Sequence, residues 1–415
     1  MEDQTKSVLV VGFNTRPLAL SLKNAGYDVY AVDFFGDLDL YPSVVDSLIL
    51  IKELETDYGT IKGTYSKLLS EFTVQMLKKY PRIDYLIIGS GLDDSYEERK
   101  AIINEIKKKN YRIKSLNNDV ETIENARNIE YIHNLLKSHN FKVPLTISYI
   151  DFGNNKGKIQ FPLILKKSKS AGGLNIYKIS TYEELSTLIK NFGSDGFNQN
   201  DWLIQEYIEG IPISCTVISN GKECEIITIN RQLIGDPLLN PPKEFTYCGN
   251  IVPAELSKRD EKLVIKITKT LTLKLGLKGV NGFDYVLKDH YPYLMEVNPR
   301  IPGSIRASEV SLDANLLDLH IKSFNLDMWD QVRISTKSNK PIFFVTKFIF
   351  FAPKEINKNL ITIINSLDCV HDKSTPTKSI LKGEPLCTIL YKGKTKLESY
   401  NRAKNTVIEI NKIIK

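Results

Sequence analysis

The change in strand pattern along the chain is the feature that most restricts its fold. Near the N-terminus, the apolar strands "SVLVVGF" and "IDYLIIGSG" alternate with helical segments, as in a parallel sheet covered by helices. From Phe161 onward, apolar strands follow one another with short connections, which favours an antiparallel sheet. The chain is therefore predicted to combine an α/β domain with an α+β part.

Bulk properties predict a protein of more than one domain. The 415 residues are 42% hydrophobic and 25% charged, and this length exceeds what one core usually supports. The net charge of +7 is spread without a basic stripe, which argues against a nucleic-acid partner. The N-terminus lacks a signal-peptide pattern, and no apolar run approaches the roughly 18 residues of a membrane span. The five cysteines form no C-x-x-C pair, so we expect a cytoplasmic protein with reduced thiols and no membrane partner.

The strand "YPYLMEVNPR" ends with polar side chains at alternating positions. Glu296 and Asn298 are two residues apart and share a face, Pro299 ends the strand, and Arg300 follows at its rim. Asp284 interrupts the preceding apolar strand "GFDYVL", where an unpaired carboxylate would be costly. These oxygen-bearing side chains suit Mg²⁺ or Mn²⁺ held jointly with phosphates. An edge strand with solvated polar residues would also account for the pattern.

Two earlier stretches suit a nucleotide. Lys166 ends the strand "PLILKK" and precedes a loop rich in serine and glycine, whose backbone amides can approach phosphate oxygens. The strand "LIQEYIEG" leads into a bend and can offer main-chain groups to a purine. Alone, each stretch also fits an ordinary hairpin or strand, and the loop lacks the G-K-[ST] of a Walker motif.

In their order and spacing, these four stretches resemble the ATP-grasp superfamily over about residues 115 to 320. Residues 380 to 412 resemble the last lobe of its biotin-carboxylase-like branch. The resemblance implies an ATP-grasp fold preceded by a Rossmann-like parallel α/β domain and followed by a small C-terminal α/β lobe. The expected domains are residues 1–112 (leading domain), 113–325 (ATP-grasp domain, with a lid subdomain at about 140–205 and a metal-binding lobe at about 206–325) and 326–415 (C-terminal lobe).

The resemblance also implies roles for individual residues. Lys166 would contact the nucleotide phosphates, and Arg300 would steady the transferring phosphoryl group, so that both are catalytic. Asp284, Glu296 and Asn298 would hold the metal. The other ATP-binding residues would be Ser168, Ser170, Gly172, Gly173, Gln205, Glu206, Tyr207 and Ile208. Substrate contacts are expected on loops after the N-terminal strands, at Asn14, Arg16 and Ser90. In "NRQLIG", Arg231 is a further candidate for the substrate, and Arg231 or Gln232 would also reach the phosphates.

Two positions depart from the family's pattern. Many members carry a lysine in the helix before the phosphate-binding strand, where this chain has Ile129, with Arg127 or Lys137 as candidate substitutes. The acidic residue that often contacts the ribose has no clear match, because Ile213 and Ser214 follow the bend instead.

The resemblance predicts an ATP-dependent ligase that activates a carboxylate as an acyl phosphate, joins it to an amine, and releases ADP and phosphate. The expected partners are a small-molecule carboxylate and amine, and the sequence is compatible with a homodimer. Two alternatives stay open. Bicarbonate could be the acid, in a carboxylase or a carbamoyl-phosphate-type enzyme, although the chain has no Met-Lys-Met biotinyl-lysine motif. The protein could also be a nucleotide-binding regulator without turnover.

Overall fold

The computed structural model describes residues 5–61, 63–109, 111–153, 157, 159–169, 173 and 175–415. Within these residues the strands form sheets of five, four and eight strands, and helices pack on them. None of the helices in this described part is both long and apolar enough to cross a membrane. One sheet is parallel and the other two are antiparallel, which confirms the predicted combination of α/β and α+β architecture.

The N-terminal part of the chain is a parallel sheet with helices on both faces. Its elements are β1 (Ser7–Gly12), α1 (Arg16–Asn24), β2 (Asp28–Asp33), β3 (Asp46–Ile49), α2 (Leu50–Glu53), α3 (Tyr58–Ile61), α4 (Tyr65–Lys79), β4 (Tyr85–Ile88), α5 (Tyr96–Lys108) and β5 (Lys114–Ser115). The strand order β3-β2-β1-β4-β5 is that of a Rossmann-like domain. In β1, Val8 and Val10 pack against α1, whereas Leu9 and Val11 join the cluster that contains α4. Burial of both faces explains the continuous apolar run in the sequence.

Two helices connect this sheet to the rest of the chain, although the helical pattern of "NDVETIENARNIEYIHNLLKSHN" suggests a single helix. They are α6 (Val120–Arg127) and α7 (Ile129–Ser138). Asn128 separates them because its backbone is extended, and its side-chain oxygen accepts a hydrogen bond from the backbone N–H of Tyr131. The break places Arg127 at the end of one helix and Ile129 at the start of the next.

A four-stranded antiparallel sheet follows. Its elements are β6 (Thr146–Ser148), α8 (Tyr149–Phe152), β7 (Leu163–Lys167), β8 (Ile176–Ile179), α9 (Tyr182–Gly196) and β9 (Trp202–Glu206), with the strand order β6-β9-β7-β8. Leu165 and Ile204 belong to an apolar cluster that also contains residues of α9. Lys166 and Gln205, at the alternate positions, line a cavity on the other face.

The stretch "WLIQEYIEGIPISCTVIS" forms two strands in different sheets, although its sequence suggests one bent strand. The chain leaves β9 after Glu206 and enters the next sheet at Ile211. Gly210 lies at this crossing, where an added Cβ would be 2.4 Å from the carbonyl oxygen of Leu287. A side chain at position 210 would therefore collide with the backbone of Leu287.

The largest sheet has eight strands. Its elements are β10 (Ile211–Asn220), β11 (Cys224–Ile234), β12 (Tyr247–Val252), α10 (Lys258–Lys274), β13 (Lys278–Lys288), β14 (Tyr291–Asn298), α11 (Ile305–Leu312), α12 (Leu316–Ser323), α13 (Trp329–Ser338), β15 (Phe344–Phe351), α14 (Lys358–Asn365), β16 (Val370–His371), β17 (Pro385–Gly393) and α15 (Lys396–Ile414). The strand order is β14-β13-β10-β11-β12-β15-β17-β16. Short 3₁₀ helices lie at Tyr41–Ser43, Gln199–Asp201, Pro237–Leu239 and Leu326–Met328.

The C-terminal strands continue this sheet. Antiparallel pairing of β12 with β15 places Val252 opposite Val345, so the sheet runs across the domain boundary proposed at residue 325. The pattern after that residue suggests a small α/β lobe, and within it β15 and β16 each pair antiparallel with β17. The residues proposed as a separate lobe therefore share a backbone hydrogen-bonded sheet with those proposed as the metal-binding lobe.

Arg16 joins the N-terminal domain to the C-terminal strands. Its side chain is 4% exposed and its Nη2 atom lies 2.7 Å from Oδ1 of Asp372, which follows β16. A longer contact of 3.5 Å joins Nε of Arg16 to Asp39. The sequence-based assignment of Arg16 to substrate binding is therefore corrected, because its guanidinium is buried in an internal ion pair.

Replacing Arg16 by leucine should lower the free energy of unfolding by about 3 to 5 kcal/mol, because Asp372 would stay buried without its partner. Urea unfolding followed by circular dichroism measures this change. Leucine at the exposed Arg112 is the control, with an expected change within about 0.5 kcal/mol. A loss for the Arg16 variant no larger than that of the control would contradict the structural role.

Candidate active site

A cavity of about 830 Å³ is lined by residues from all three sheets and their loops. Ser90 follows β4 of the parallel sheet, Lys166 and Gln205 come from the four-stranded sheet, and Asp284 and Lys347 come from the largest sheet. A volume of this size suits a nucleotide or a substrate of similar size. The cavity therefore lies where the sequence-based prediction expects the ATP site.

The three predicted metal ligands lie together on β13 and β14. Antiparallel pairing places Asp284 opposite Glu296, with a β-bulge directly after Asp284. The side-chain amide of Asn298 donates a hydrogen bond of 2.8 Å to Oδ2 of Asp284. Oδ1 of Asp284 accepts a hydrogen bond of 2.9 Å from Gln232, a residue of β11. Strand pairing thus brings together residues that are a dozen or more positions apart in the sequence.

The chemistry of these side chains fits a divalent cation. Burial and the neighbouring charge of Glu296 raise the pKa of Asp284, so a nearby cation would stabilise its charged form. In the described residues, no group of three or more His, Cys, Asp or Glu side chains is placed so that it could hold a metal ion by itself. The protein would therefore supply two carboxylates and an amide oxygen, and phosphate and water would complete the coordination of Mg²⁺.

Lys166 lies close to these carboxylates. Its ammonium donates a hydrogen bond of 3.1 Å to Oε1 of Gln205, whose amide donates in turn to Oγ1 of Thr146 at 2.7 Å. Burial lowers the pKa of Lys166 to about 8, although the charge of Glu296 opposes this shift. The predicted base contact Gln205 therefore orients the lysine, and the lysine lies where an anionic ligand would stabilise its charge.

The predicted adenine-binding segment forms part of the cavity wall. Glu206, Tyr207 and Ile208 all line the cavity. The backbone N–H of Glu206 donates to the carbonyl oxygen of Leu145 at 2.8 Å, and the Lys178 ammonium lies 4.2 Å from the ring centroid of Tyr207. This segment is anchored at its first residue and presents an aromatic ring and an apolar side chain beyond it.

The predicted phosphate loop is described in part. Ser168 and Gly173 line the cavity, whereas Ser170 and Gly172 lie outside the described residues. Gly173 has a positive φ of +76°, and an added Cβ would lie 1.9 Å from the carbonyl oxygen of Phe245. A glycine is needed at this position because its own backbone packs directly on the β11–β12 connection.

Arg300 forms an ion pair that the sequence does not reveal. Its Nε donates to Oδ1 of Asp93, and its Nη1 donates to the carbonyl oxygen of Ile301 at 3.2 Å. Burial alone would raise the pKa of Asp93, but the charges of Arg300 and Arg127 lower it to about 2. The predicted catalytic arginine therefore lines the cavity while it is held by a buried carboxylate of the loop after β4.

Arg127 takes part in the same network. Its guanidinium donates two hydrogen bonds of 2.9 Å to the carboxylate of Asp94 and a further one to Glu296. Arg127 and Ile129 both line the cavity, whereas Lys137 does not. Of the two candidate substitutes for the family's lysine, Arg127 is thus the one within the site.

The predicted substrate residues divide into two groups. Asn14 and Ser90 line the cavity because they follow β1 and β4, neighbouring parallel strands whose carboxyl ends meet at one edge. Of the two candidates in "NRQLIG", Gln232 lines the cavity, whereas Arg231 is exposed and does not line it, so the assignment is corrected from Arg231 to Gln232. Alternation along β11 accounts for the difference. The loop "GSGLDD" signals a ligand-facing turn, but nothing local in it identifies Asp93 and Asp94 as partners of two distant arginines.

Replacing Lys166 by alanine should weaken ATP binding roughly 10- to 100-fold, since a buried charge-assisted contact is lost. Isothermal titration calorimetry measures the affinity directly. Alanine at the exposed Lys190 on α9 is the control and should leave it unchanged. Equal affinities for the two variants would remove Lys166 from the phosphate site.

Replacing Asp284 by asparagine, or Glu296 by glutamine, should abolish the thermal stabilisation that Mg-ATP gives to the wild type and reduce turnover roughly 100-fold or more. Each change removes one charged ligand. Thermal shift with and without Mg²⁺ separates the metal effect from nucleotide binding. Wild-type stabilisation by Mg-ATP in both variants would contradict the metal assignment.

Comparison with known proteins identifies a family for the central part of the chain. Residues 130–304 match the ATP-grasp domain family. An uncharacterized protein of Methanocaldococcus jannaschii is 28% identical over 394 residues, which are 92% of this chain and 88% of that protein. The large chain of carbamoyl phosphate synthase from a Thermoanaerobacter species is 27% identical over 252 residues, which are 57% of this chain but 23% of the synthase.

Solved structures extend the similarity to the whole chain. An L-amino acid ligase from Bacillus licheniformis superposes with a TM-score of 0.69 at 16% identity, covering 98% of both chains. At that identity the likeness concerns the fold. Residues 130–304 are therefore an ATP-grasp domain, and the whole chain has a fold similar to that of the L-amino acid ligase.

Proposed function

We propose that the protein is an ATP-dependent ligase that activates a carboxylate as an acyl phosphate and joins it to an amine, with release of ADP and phosphate. The observation that carries this proposal is the convergence on one cavity of Lys166, Arg300 and the Asp284–Glu296–Asn298 set. The same cavity extends to Asn14 and Ser90 at the carboxyl edge of the parallel sheet, which leaves room for substrates beside the nucleotide.

The charges around the cavity suit phosphoryl transfer. Negative charge develops on the phosphoryl group as it moves from ATP to the substrate carboxylate and ADP leaves, and Mg²⁺ bound at the carboxylate pair would offset part of it. Lys166 and Arg300 would supply the remaining positive charge. Arg300 is held by Asp93 in this structure, so its guanidinium is already oriented at the cavity when a phosphate arrives.

The two cysteines that line the cavity do not favour a covalent thiol intermediate. Cys215 and Cys387 both line it, but burial raises the pKa of Cys215 to about 12 and that of Cys387 further still. Their thiols are therefore protonated near neutral pH and poorly nucleophilic. In the proposed reaction the substrate carboxylate itself attacks the phosphate, so no side-chain nucleophile is required.

A bicarbonate-dependent reaction is the second candidate. The 27% identity to a carbamoyl phosphate synthase large chain over 252 residues favours it. ADP release that depends on bicarbonate, in the absence of any other carboxylic acid, would support this candidate over the first. A regulator without turnover would release no ADP with any acid or amine while still binding Mg-ATP.

The nucleotide product distinguishes the acyl-phosphate route from adenylation. A panel of carboxylic acids with Mg-ATP and hydroxylamine should yield ADP, phosphate and an acyl hydroxamate for at least one acid, measured by chromatography. AMP as the product would exclude the proposed route.

In the same assay Arg300→Lys should reduce turnover roughly tenfold or more with ATP affinity nearly unchanged, because lysine can pair with Asp93 but cannot hold two phosphate oxygens. Arg306→Lys, outside the cavity, is the control with little expected change.

A further inference from the structure

A second group of charged residues lines the same cavity, next to the C-terminal strands. Asp37 belongs to the loop after β2, Lys347 to β15, and Asp372 to the turn after β16. Asn14, after β1, lies among them and lines the cavity as well. The motifs of the ATP-grasp resemblance include none of these charged side chains.

The cations of this group are already engaged. The Arg16 guanidinium pairs with Asp372 and Asp39. The ammonium of Lys347 donates a hydrogen bond of 2.9 Å to the carbonyl oxygen of Gly303. The pKa of Asp372 lies below its usual range because Arg16 and Lys347 outweigh the effect of burial. Asp372 therefore has its counter-charges within the protein.

Asp33 is also satisfied. Its carboxylate accepts hydrogen bonds of 2.6 Å from the backbone N–H groups of Thr15 and Gly36, and another from the Thr15 hydroxyl. Among the residues that the structure describes, the cations that act on this group of carboxylates are Arg16 and Lys347, and the carboxylates are those of Asp33, Asp37, Asp39 and Asp372. The cluster carries an excess of negative charge.

Asp37 is the carboxylate left without a partner. It is 8% exposed, and no side chain in the described part of the protein donates a hydrogen bond to it or forms an ion pair with it. Burial and the charges of Asp372, Asp33 and Asp39 raise its pKa, and the opposing charge of Arg16 does not offset them. Buried carboxylates in proteins are normally paired, so an unpaired one that faces a cavity indicates a ligand.

A second acceptor points to the same ligand chemistry. The amide oxygen of Asn14 is buried and has no hydrogen-bond partner among the described residues. Its amide nitrogen lies beside Asp372, whose charge also acts on Asp37. A buried carboxylate and a buried amide oxygen, both lacking donors, suit an ammonium group, which offers three N–H donors and one positive charge.

We propose that Asp37 binds the ammonium group of a substrate, with the amide oxygen of Asn14 accepting a second hydrogen bond. The inference rests on the proposed ligase function, and it narrows the substrates to compounds that carry a primary ammonium. The group can belong to the amine that is ligated or to an amino acid that donates the carboxylate. The effect of Asp37→Asn on the KM of each substrate distinguishes the two sources.

Binding is tested first, without turnover. In the presence of Mg-ADP, each of the twenty amino acids and a set of alkyl diamines is added to the wild type and to Asp37→Asn, and the melting temperature is measured. At least one of these cations should stabilise the wild type and lose that effect in the variant. If none stabilises the wild type more than Asp37→Asn, the proposal is overturned, whatever the outcome for ligase activity.

Turnover identifies the source of the ammonium. Hydroxylamine is uncharged near neutral pH, so hydroxamate formation reports on the donor acid alone. If the KM of the ligated amine rises at least roughly tenfold in Asp37→Asn while hydroxamate formation with the same acid is retained, the ammonium belongs to the amine. A similar rise in the KM of an amino-acid donor assigns it to the acid. Unchanged KM values for both substrates would contradict the proposal, and no product with any acid would contradict the ligase function instead.

Asp39→Asn is the matched control for charge and position. Asp39 does not line the cavity, and its carboxylate accepts hydrogen bonds from the backbone N–H groups of Asp372 and Lys373. Its variant should lose stability and keep the wild-type KM values. Asp37→Asn should show the opposite pattern, with unliganded stability equal to or above the wild type, because an unpaired buried charge is removed. A marked loss of unliganded stability in Asp37→Asn would indicate a structural role and overturn the proposal.

Discussion

The pairing of buried charges between the N-terminal domain and the other two sheets is the constraint on which the site depends. On the loop after β4, Asp93 pairs with Arg300 and Asp94 pairs with Arg127. Arg127 lies just before the ATP-grasp domain at residues 130–304, and Arg300 lies near its end. Each guanidinium is largely buried, so neither could be tolerated without its carboxylate. The parallel sheet thus supplies the counter-charges that allow cationic residues to line the cavity.

This pairing has a consequence for the proposed chemistry. An arginine that meets phosphate must be charged and oriented before the nucleotide binds, and Asp93 meets both requirements for Arg300. Arg127 bridges Asp94 and Glu296, so the loop after β4 is connected through one side chain to the carboxylate pair proposed for the metal. Electrostatic preorganisation of this kind lowers the cost of stabilising charge during the reaction.

The cavity contains two regions that suit ligands of different charge. At Asp284 and Glu296, neighbouring carboxylates call for a divalent cation, and Lys166 and Arg300 beside them call for phosphate. Near the C-terminal strands, the unpaired carboxylate of Asp37 calls for a monovalent cation with hydrogen-bond donors. A polyanionic nucleotide and a cationic substrate would therefore be directed to different parts of one cavity.

Much of the candidate site could be predicted from the sequence because its motifs are local. Glu296, Asn298 and Arg300 occupy consecutive alternate positions of one strand and its end, so period-two geometry predicts their common placement. The same reasoning fails for residues whose partners are remote. Arg16 follows a ligand-facing strand, yet its partner Asp372 is 356 positions away, and local sequence gives no sign of that contact.

What the sequence by itself determined is the set of elements and the chemistry at their ends. Apolar runs and alternations define the parallel and antiparallel strands, since side-chain burial follows directly from backbone periodicity. Only the tertiary structure decided which charged side chains form internal ion pairs and which of them can contact a ligand. Arg16 pairs with Asp372, Arg231 is exposed, and Asp37 has no ion pair within the described part of the chain. Charge pairing depends on contacts between distant segments, which no local pattern encodes.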